Sequence, residues 1–391
     1  MTTIELSTVH HADARGGRRN DALADPRVRR AVAALSVPRR AVADSFVLHA
    51  PLELLARIGL AHHLEGDVRE EALKRIAALA SAFESSGEPV DPPPPVDAPD
   101  LAAGAAALDR ALRDGDLESV DAWAAWLGDR ADHAALALLL GEAIVDSLAA
   151  AGHAPIGLHL LARVASGERW GGLLRQPLRE LARRPEWRLS WFRATAPAAH
   201  TPLADSIRAV PHLGLPGSNF IHPVMSQIES SGVARDLLVP ALGDAVADPV
   251  AAGRTLLRAA SWSMCCDDEA EAPYGWSHCL TMPQGVLALA GRGVEPRTAL
   301  AVAATFVAGF RAGDGREAVP PLGDEDAPAI APRGSIEPAT LAAEASLHHD
   351  AHLVKYTLAC LHAAEDDPAW AHVHLAAAAF LADWWRRHPQ A

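Results

Sequence analysis

The run Leu347-His348-His349-Asp350-Ala351-His352-Leu353-Val354-Lys355-Tyr356 lies inside a stretch, roughly 336–364, where Ala and Leu recur at the spacing of a helical face. The same spacing predicts helices over roughly 39–63, 67–85, 101–113, 117–130, 133–150, 171–183, 234–262, 276–291, 296–312 and 367–387. Runs of alternating Val, Ile and Thr are almost absent, so the expected fold class is all-α. Asp116, Asp132 and Ser335 stand where N-caps belong, and Pro338 suits a first turn.

Outside these stretches the chain reads as irregular. The segment at about 84–100 holds Pro92 to Pro95 in a row and reads as an exposed linker. The segment at about 313–334 is rich in Pro, Gly and Asp, a long loop of the kind that either moves or covers a site. A third break, Pro211 to Pro223, ends at His222, which therefore begins a helix. No fixed-period repeat is present, so the expected architecture is one multi-helix bundle, a single domain over residues 1–391, to which the histidines described below add a buried metal site.

Composition narrows the function classes. Of 391 residues, 50% are hydrophobic and 21% charged, the balance of a folded chain. A formal charge of −14, with only short Arg-rich spots at Arg15 to Arg19 and Arg27 to Arg30, argues against a nucleic-acid partner. The opening Met1-Thr2-Thr3-Ile4-Glu5 is not a secretory leader and no apolar run is long enough to span a bilayer, so no membrane partner and a cytoplasmic location are expected. The four cysteines form no CxxC pair, which disfavours a disulfide framework or a thiolate zinc site.

The chemistry-bearing residues are histidines and one amine. The chain has two lysines, Lys74 and Lys355, and every other basic side chain is Arg. Guanidinium stays protonated under any protein condition. An amine desolvated beside imidazoles can lose its proton and act as a nucleophile, a base or a carbamate-forming group. On a helix His348, His352 and Lys355 share one face and can converge on one ion, whereas His349 points toward solvent or a second shell. His49, His153, His222 and His278 lie among apolar or small residues at or near helix starts. Several neutral imidazoles in one apolar interior are most often explained by a metal. His62, His63, His372, His374 and His388 have charged neighbours and read as surface residues. Trp384 and Trp385 read as a helix end packing back on the bundle. No GxGxxG, GxxxxGK[ST] or GxSxG occurs.

At these residues the chain resembles the questin oxidase-like family, helical oxygenases of fungal and bacterial polyketide pathways. The resemblance covers most of the length, from the His49 helix to Asp350-Ala351-His352-Leu353-Val354-Lys355-Tyr356, which looks like the family's Asp-x-His-x-x-Lys-Tyr signature. It implies a non-haem Fe(II) centre held by four histidines, His49, His153, His278 and His352, and by Lys355 as a carbamate formed with CO2. His222 is a rival for one ligand position and His159 a weaker one. Lys355 and His222 are the candidate catalytic residues.

A carbamate forms only from the uncharged amine, so Lys355 must be buried and its pKa depressed, a role Arg cannot fill. Imidazole alone does not choose among Fe(II), Mn(II) and Zn(II). The implied partners are O2 and a small aromatic substrate such as a hydroxyanthraquinone, bound in a pocket walled by Tyr274, Trp276 and Phe220 and altered by oxygen insertion or ring cleavage. Need for an external reductant such as NADPH, and the oligomeric state, are left open. Two competing readings stand beside this one: a metal-dependent hydrolase using the same ligands, and a helical binding protein whose histidines are only core and surface residues.

Overall fold

The computed structural model of the chain describes residues 22–193, 200–218, 220–266 and 274–389, which leaves Arg15 to Arg19 and Asn219 outside the described residues. Its helix starts follow a common chemistry. Asp44, Asp100, Asp116, Asp132 and Asp350 each accept the backbone N–H three residues on, at 2.8–3.1 Å, which satisfies a donor that the first helical turn leaves unpaired. At Pro338 the cap is Glu337, whose carboxylate takes the Thr340 N–H at 2.6 Å, and the expected cap Ser335 instead accepts from the Glu337 N–H. Among the described residues there is no strand, only three isolated bridges, and the all-α class holds.

Several predicted helices are two helices. The 336–364 stretch divides into Pro338–Leu347 and Ala351–Asp366, because Asp350 caps a new start and His348 leaves the helical region. The 234–262 stretch divides into Val233–Ala245 and Pro249–Cys266, with Asp248 taking the Ala251 N–H. Helix His133–Ile144 ends six residues earlier than its apolar pattern. Helices Pro26–Leu35, His153–Val164, Leu203–Arg208 and Ile221–Ser230 go beyond the pattern-based reading, the last starting one residue before His222.

One hydrophobic cluster runs through the described residues. At its centre Ser45–Ala61, His153–Val164, Tyr274–Leu287 and Ala351–Asp366 pack in a closed ring, each against two of the others. Close approach in that ring is bought with glycine. A Cβ on Gly285 would stand 2.9 Å from the backbone of Pro155 and Ile156, so the His153–Val164 and Tyr274–Leu287 helices touch backbone to backbone there. Gly285→Ala is expected to push these two helices apart and cost about 1–3 kcal/mol, read as a lower midpoint in urea unfolding.

The two irregular segments are tied down. The 84–100 segment is exposed over most of its length, and its start is pinned by the Val90 N–H to the Pro38 carbonyl at 2.9 Å. The 315–337 loop is held by Arg258 donating to the Leu322 carbonyl, Trp370 to the Gly323 carbonyl, Arg208 to the Val319 carbonyl and His372 to the Pro328 carbonyl.

Candidate functional site

Each helix of the central ring delivers a nitrogen donor from its first two turns. His49 and His278 are the fifth residues of their helices, His153 is the first, and Ala351–Asp366 supplies His352 and Lys355. The placement of His153 is unusual. Ala150 and Ala151 both take left-handed φ values of 51°, followed by Gly152 at 73°, before the helix begins. Left-handed alanines cost free energy that a connecting loop alone does not require, and here the turn sets His153 against the other rings.

The ligand nitrogens of His49, His153 and His278 lie within 4.8 Å of one another, and all three residues are buried. The His49 ring centroid is 4.5 Å from that of His153 and 4.4 Å from that of His352, and His278 lies 5.5 Å from His352. The Lys355 Nζ is 3.4 Å from His153 Nε2. Four imidazoles and one amine thus meet in one buried volume, with His352 nearest its edge.

Hydrogen bonding fixes which nitrogen faces inward. The Nδ1–H of His49 donates to the Ser45 carbonyl at 2.5 Å, and that of His278 to the Tyr274 carbonyl at 3.1 Å. His352 Nδ1 donates to the Asp350 carboxylate at 3.4 Å. Carbonyl and carboxylate oxygens only accept, so Nε2 of each of these rings carries a lone pair. His49 Nε2 and His153 Nδ1 are buried without a partner. Lone pairs aimed into one dry volume repel unless a cation or a donor lies between them. The donor set and the orphaned His49 Nε2 therefore fit a metal ion.

The charge state agrees with that fit. Burial, and then the Lys355 charge, push His49, His153 and His278 well below the usual histidine range. Burial also lowers His352, against the pull of Asp350. Lys355, 4% exposed, is lowered to about 7 by burial, with Asp350 and Glu53 opposing. Glu53 is itself held by Arg57 at 2.6 Å in a buried ion pair, and Arg57 donates onward to the carbonyls of Ser346 and His348. The site is thus a set of imidazoles held neutral beside an amine that sheds its proton near neutral pH, with carboxylates engaged close by.

A cavity of about 1410 Å³ opens onto His49, His153, His278 and His352, above the ~300–1,000 Å³ of ordinary ligand pockets. Tyr274, Leu48 and Leu148 line it, and Trp187, His222 and Phe220 form part of its wall. Phe220 is 77% exposed.

His222 lies in the cavity wall and not with the imidazole cluster. Its ring stacks on Trp187 at 3.9 Å and 19°, a partner from a segment distant in the chain. His159 is outside the cluster too, with its ring 6.2 Å from that of His362, and burial lowers it to about 3. His348 leaves the predicted stripe: it caps the preceding helix, and its ring lies against His349 and Trp385. His349 is exposed, as expected. Tyr274 and Phe220 do wall the cavity, whereas Trp276 packs in the core near Phe310.

A second polar group is assembled away from this site. Ser261 Oγ lies 2.7 Å from His374 Nδ1, His374 Nε2 is 3.6 Å from Asp367, and Asp367 accepts two bonds from Arg258 at 2.6 and 2.8 Å. Its side-chain types match a hydrolytic triad, but Ser261 and His374 are 0% exposed and Arg258 occupies the carboxylate. The network clamps the 315–337 loop through Leu322 and Asp324. His374, expected at the surface, is interior for that reason.

No disulfide joins the described cysteines, and no helix of the described residues is long and apolar enough to cross a membrane. No protein-family model matches the chain, and no curated protein or solved structure matches it.

Proposed function

We propose that the protein is a non-haem iron-dependent oxygenase of the questin oxidase-like kind, acting on an aromatic polyketide such as a hydroxyanthraquinone by oxygen insertion or ring cleavage. One observation carries the reading: four imidazoles and the buried Lys355 amine converge on a single buried volume at the floor of a large cavity. His49, His153, His278, His352 and a carboxylated Lys355 would hold the metal. Bound Fe(II) supplies the O2 chemistry that these side chains lack.

The remaining roles belong to the chain itself. The Ser45 and Tyr274 carbonyls and Asp350 fix the tautomers of three ligand rings. The uncharged Lys355 amine attacks CO2 and releases a proton to water in the cavity, and the resulting carbamate anion offsets the charge of a divalent ion in a medium that stabilises a lone cation poorly. The core packed behind the ring of helices shields the ligands on the side away from the cavity. Trp187 and His222 offer a flat stacked face for the substrate, with Phe220 on the same wall.

Two measurements test the reading. Substrate-dependent oxygen uptake by iron-loaded protein is expected, and turnover with no oxygen consumed identifies a hydrolase instead. Trp187→Ala is expected to weaken binding of a hydroxyanthraquinone roughly threefold to tenfold with iron content unchanged, because ring stacking contributes about 0.5–1.5 kcal/mol. Ligand-induced quenching of tryptophan fluorescence in metal-free protein reads that affinity; unchanged affinity would place the substrate elsewhere.

A further inference from the structure

A chain of oxidisable rings leads from the imidazole cluster outward. Tyr274 lies against the ligand ring His352 at 4.3 Å and 30°. Its other neighbour is Trp385 at 6.5 Å, and Trp385 meets Trp384 edge-on at 5.2 Å. The chain ends in two places. Trp384 stacks on the half-buried His388 at 4.4 Å, and Trp385 lies 5.3 Å from the exposed His349.

Packing alone does not account for the choice of residues. Phe fills such positions as well as Tyr or Trp but is not oxidised at accessible potentials, and none of the seven phenylalanines interrupts this path. The protein has two tyrosines, one of which occupies the step beside a candidate metal ligand while also lining the cavity. The two indoles are 4% and 3% exposed, so their rings are shielded from solvent while their neighbours reach it.

We propose that Tyr274, Trp385 and Trp384 form an electron-transfer chain that carries oxidising equivalents from the imidazole cluster to the surface, where a thiol- or ascorbate-class donor quenches them. Its use in the cell rests on the oxygenase reading: the oxidising equivalent is one stranded at the centre when O2 is consumed without substrate. That oxidising equivalent, derived from O2, takes one electron from Tyr274 and is reduced by it, while the phenolic proton passes to water in the cavity. The neutral phenoxyl radical takes an electron from Trp385 and a proton back from that water. The Trp385 radical cation, exchanging with Trp384, then takes one electron from the external donor, which becomes the corresponding thiyl or ascorbyl radical.

The test does not need iron. A ruthenium tris-bipyridine photo-oxidant is tethered to His349→Cys, beside Trp385, with protein lacking that substitution as the control for labelling of native thiols. Flash-quench oxidation followed by electron paramagnetic resonance should show a tyrosyl radical in this parent. Adding Tyr274→Phe should abolish the tyrosyl signal and leave a tryptophan signal, and Trp385→Phe should slow tyrosyl formation. No tyrosyl radical in the parent, or one that survives Tyr274→Phe and so resides on Tyr356, overturns the chain. So does an unchanged rate in Trp385→Phe. Metal analysis of the same preparations separates the two ideas, since absent iron removes the oxygenase reading and leaves the radical measurements intact.

Discussion

Lys355→Arg protein should purify with essentially no iron, against about one iron per chain in the unsubstituted protein, because guanidinium neither deprotonates nor forms a carbamate. The loss arises twice. The anionic oxygen ligand disappears, and a permanent cation replaces it beside His153, whose Nε2 lies 3.4 Å from the native amine. A fixed positive charge within the imidazole cluster opposes any divalent ion at low dielectric. Metal analysis checks the content, and urea unfolding confirms that the variant is folded. Iron retained at the native level would remove Lys355 from the ligand set.

Lys355→Met, in protein stripped of metal and CO2, should behave in the opposite way and fold more stably than the parent at pH 7. The amine is lowered from 10.5 to about 7 by burial, which at ~1.4 kcal/mol per pH unit corresponds to roughly 5 kcal/mol of destabilisation. Lost contacts at the new side chain reduce the expected gain to about 3–5 kcal/mol. The sign with pH follows from proton counts. Below about pH 7 the amine is charged in both folded and unfolded chains, and the whole penalty is present. Between about 7 and 10.5 the unfolded chain holds a proton that the folded chain has shed, so the parent gains stability as pH rises. The gap between Lys355→Met and the parent should therefore narrow from about pH 7 to about pH 9.5 in urea unfolding. A gap that is absent at pH 7, or constant with pH, contradicts a buried neutral amine.

The sequence and the structure agree where local chemistry decides. Asp116 and Asp132 act as caps because an Asp side chain reaches the N–H three residues on whatever the rest of the fold does. Lys355 was visible as one of two lysines in a chain that otherwise uses Arg. Apolar context and the resemblance point to His49, His153 and His278, the stripe with Lys355 points to His352, and the helix ring brings all four together.

Disagreement arises where a cap competes with an apolar pattern, or where a side chain's partner is distant in sequence. His348 has the spacing for the Lys355 face, but Asp350 prefers to cap, and the helix restarts after it. His374 lies in a stretch with charged residues such as Asp366, yet its burial is set by Ser261 and Asp367, which lie outside its own helix. The stack of Trp187 on His222 joins two segments with no shared pattern. Left-handed backbone at Ala150 and Ala151 is equally invisible, since alanine ordinarily signals helix.

The most direct test is an anomalous-scattering difference map at the iron edge from crystals grown with bicarbonate. The account predicts one peak inside the ring formed by His49, His153, His278 and His352, with density for a carboxyl group extending from the Lys355 amine. A peak elsewhere, or a bare amine with the four imidazoles linked only through water, contradicts it.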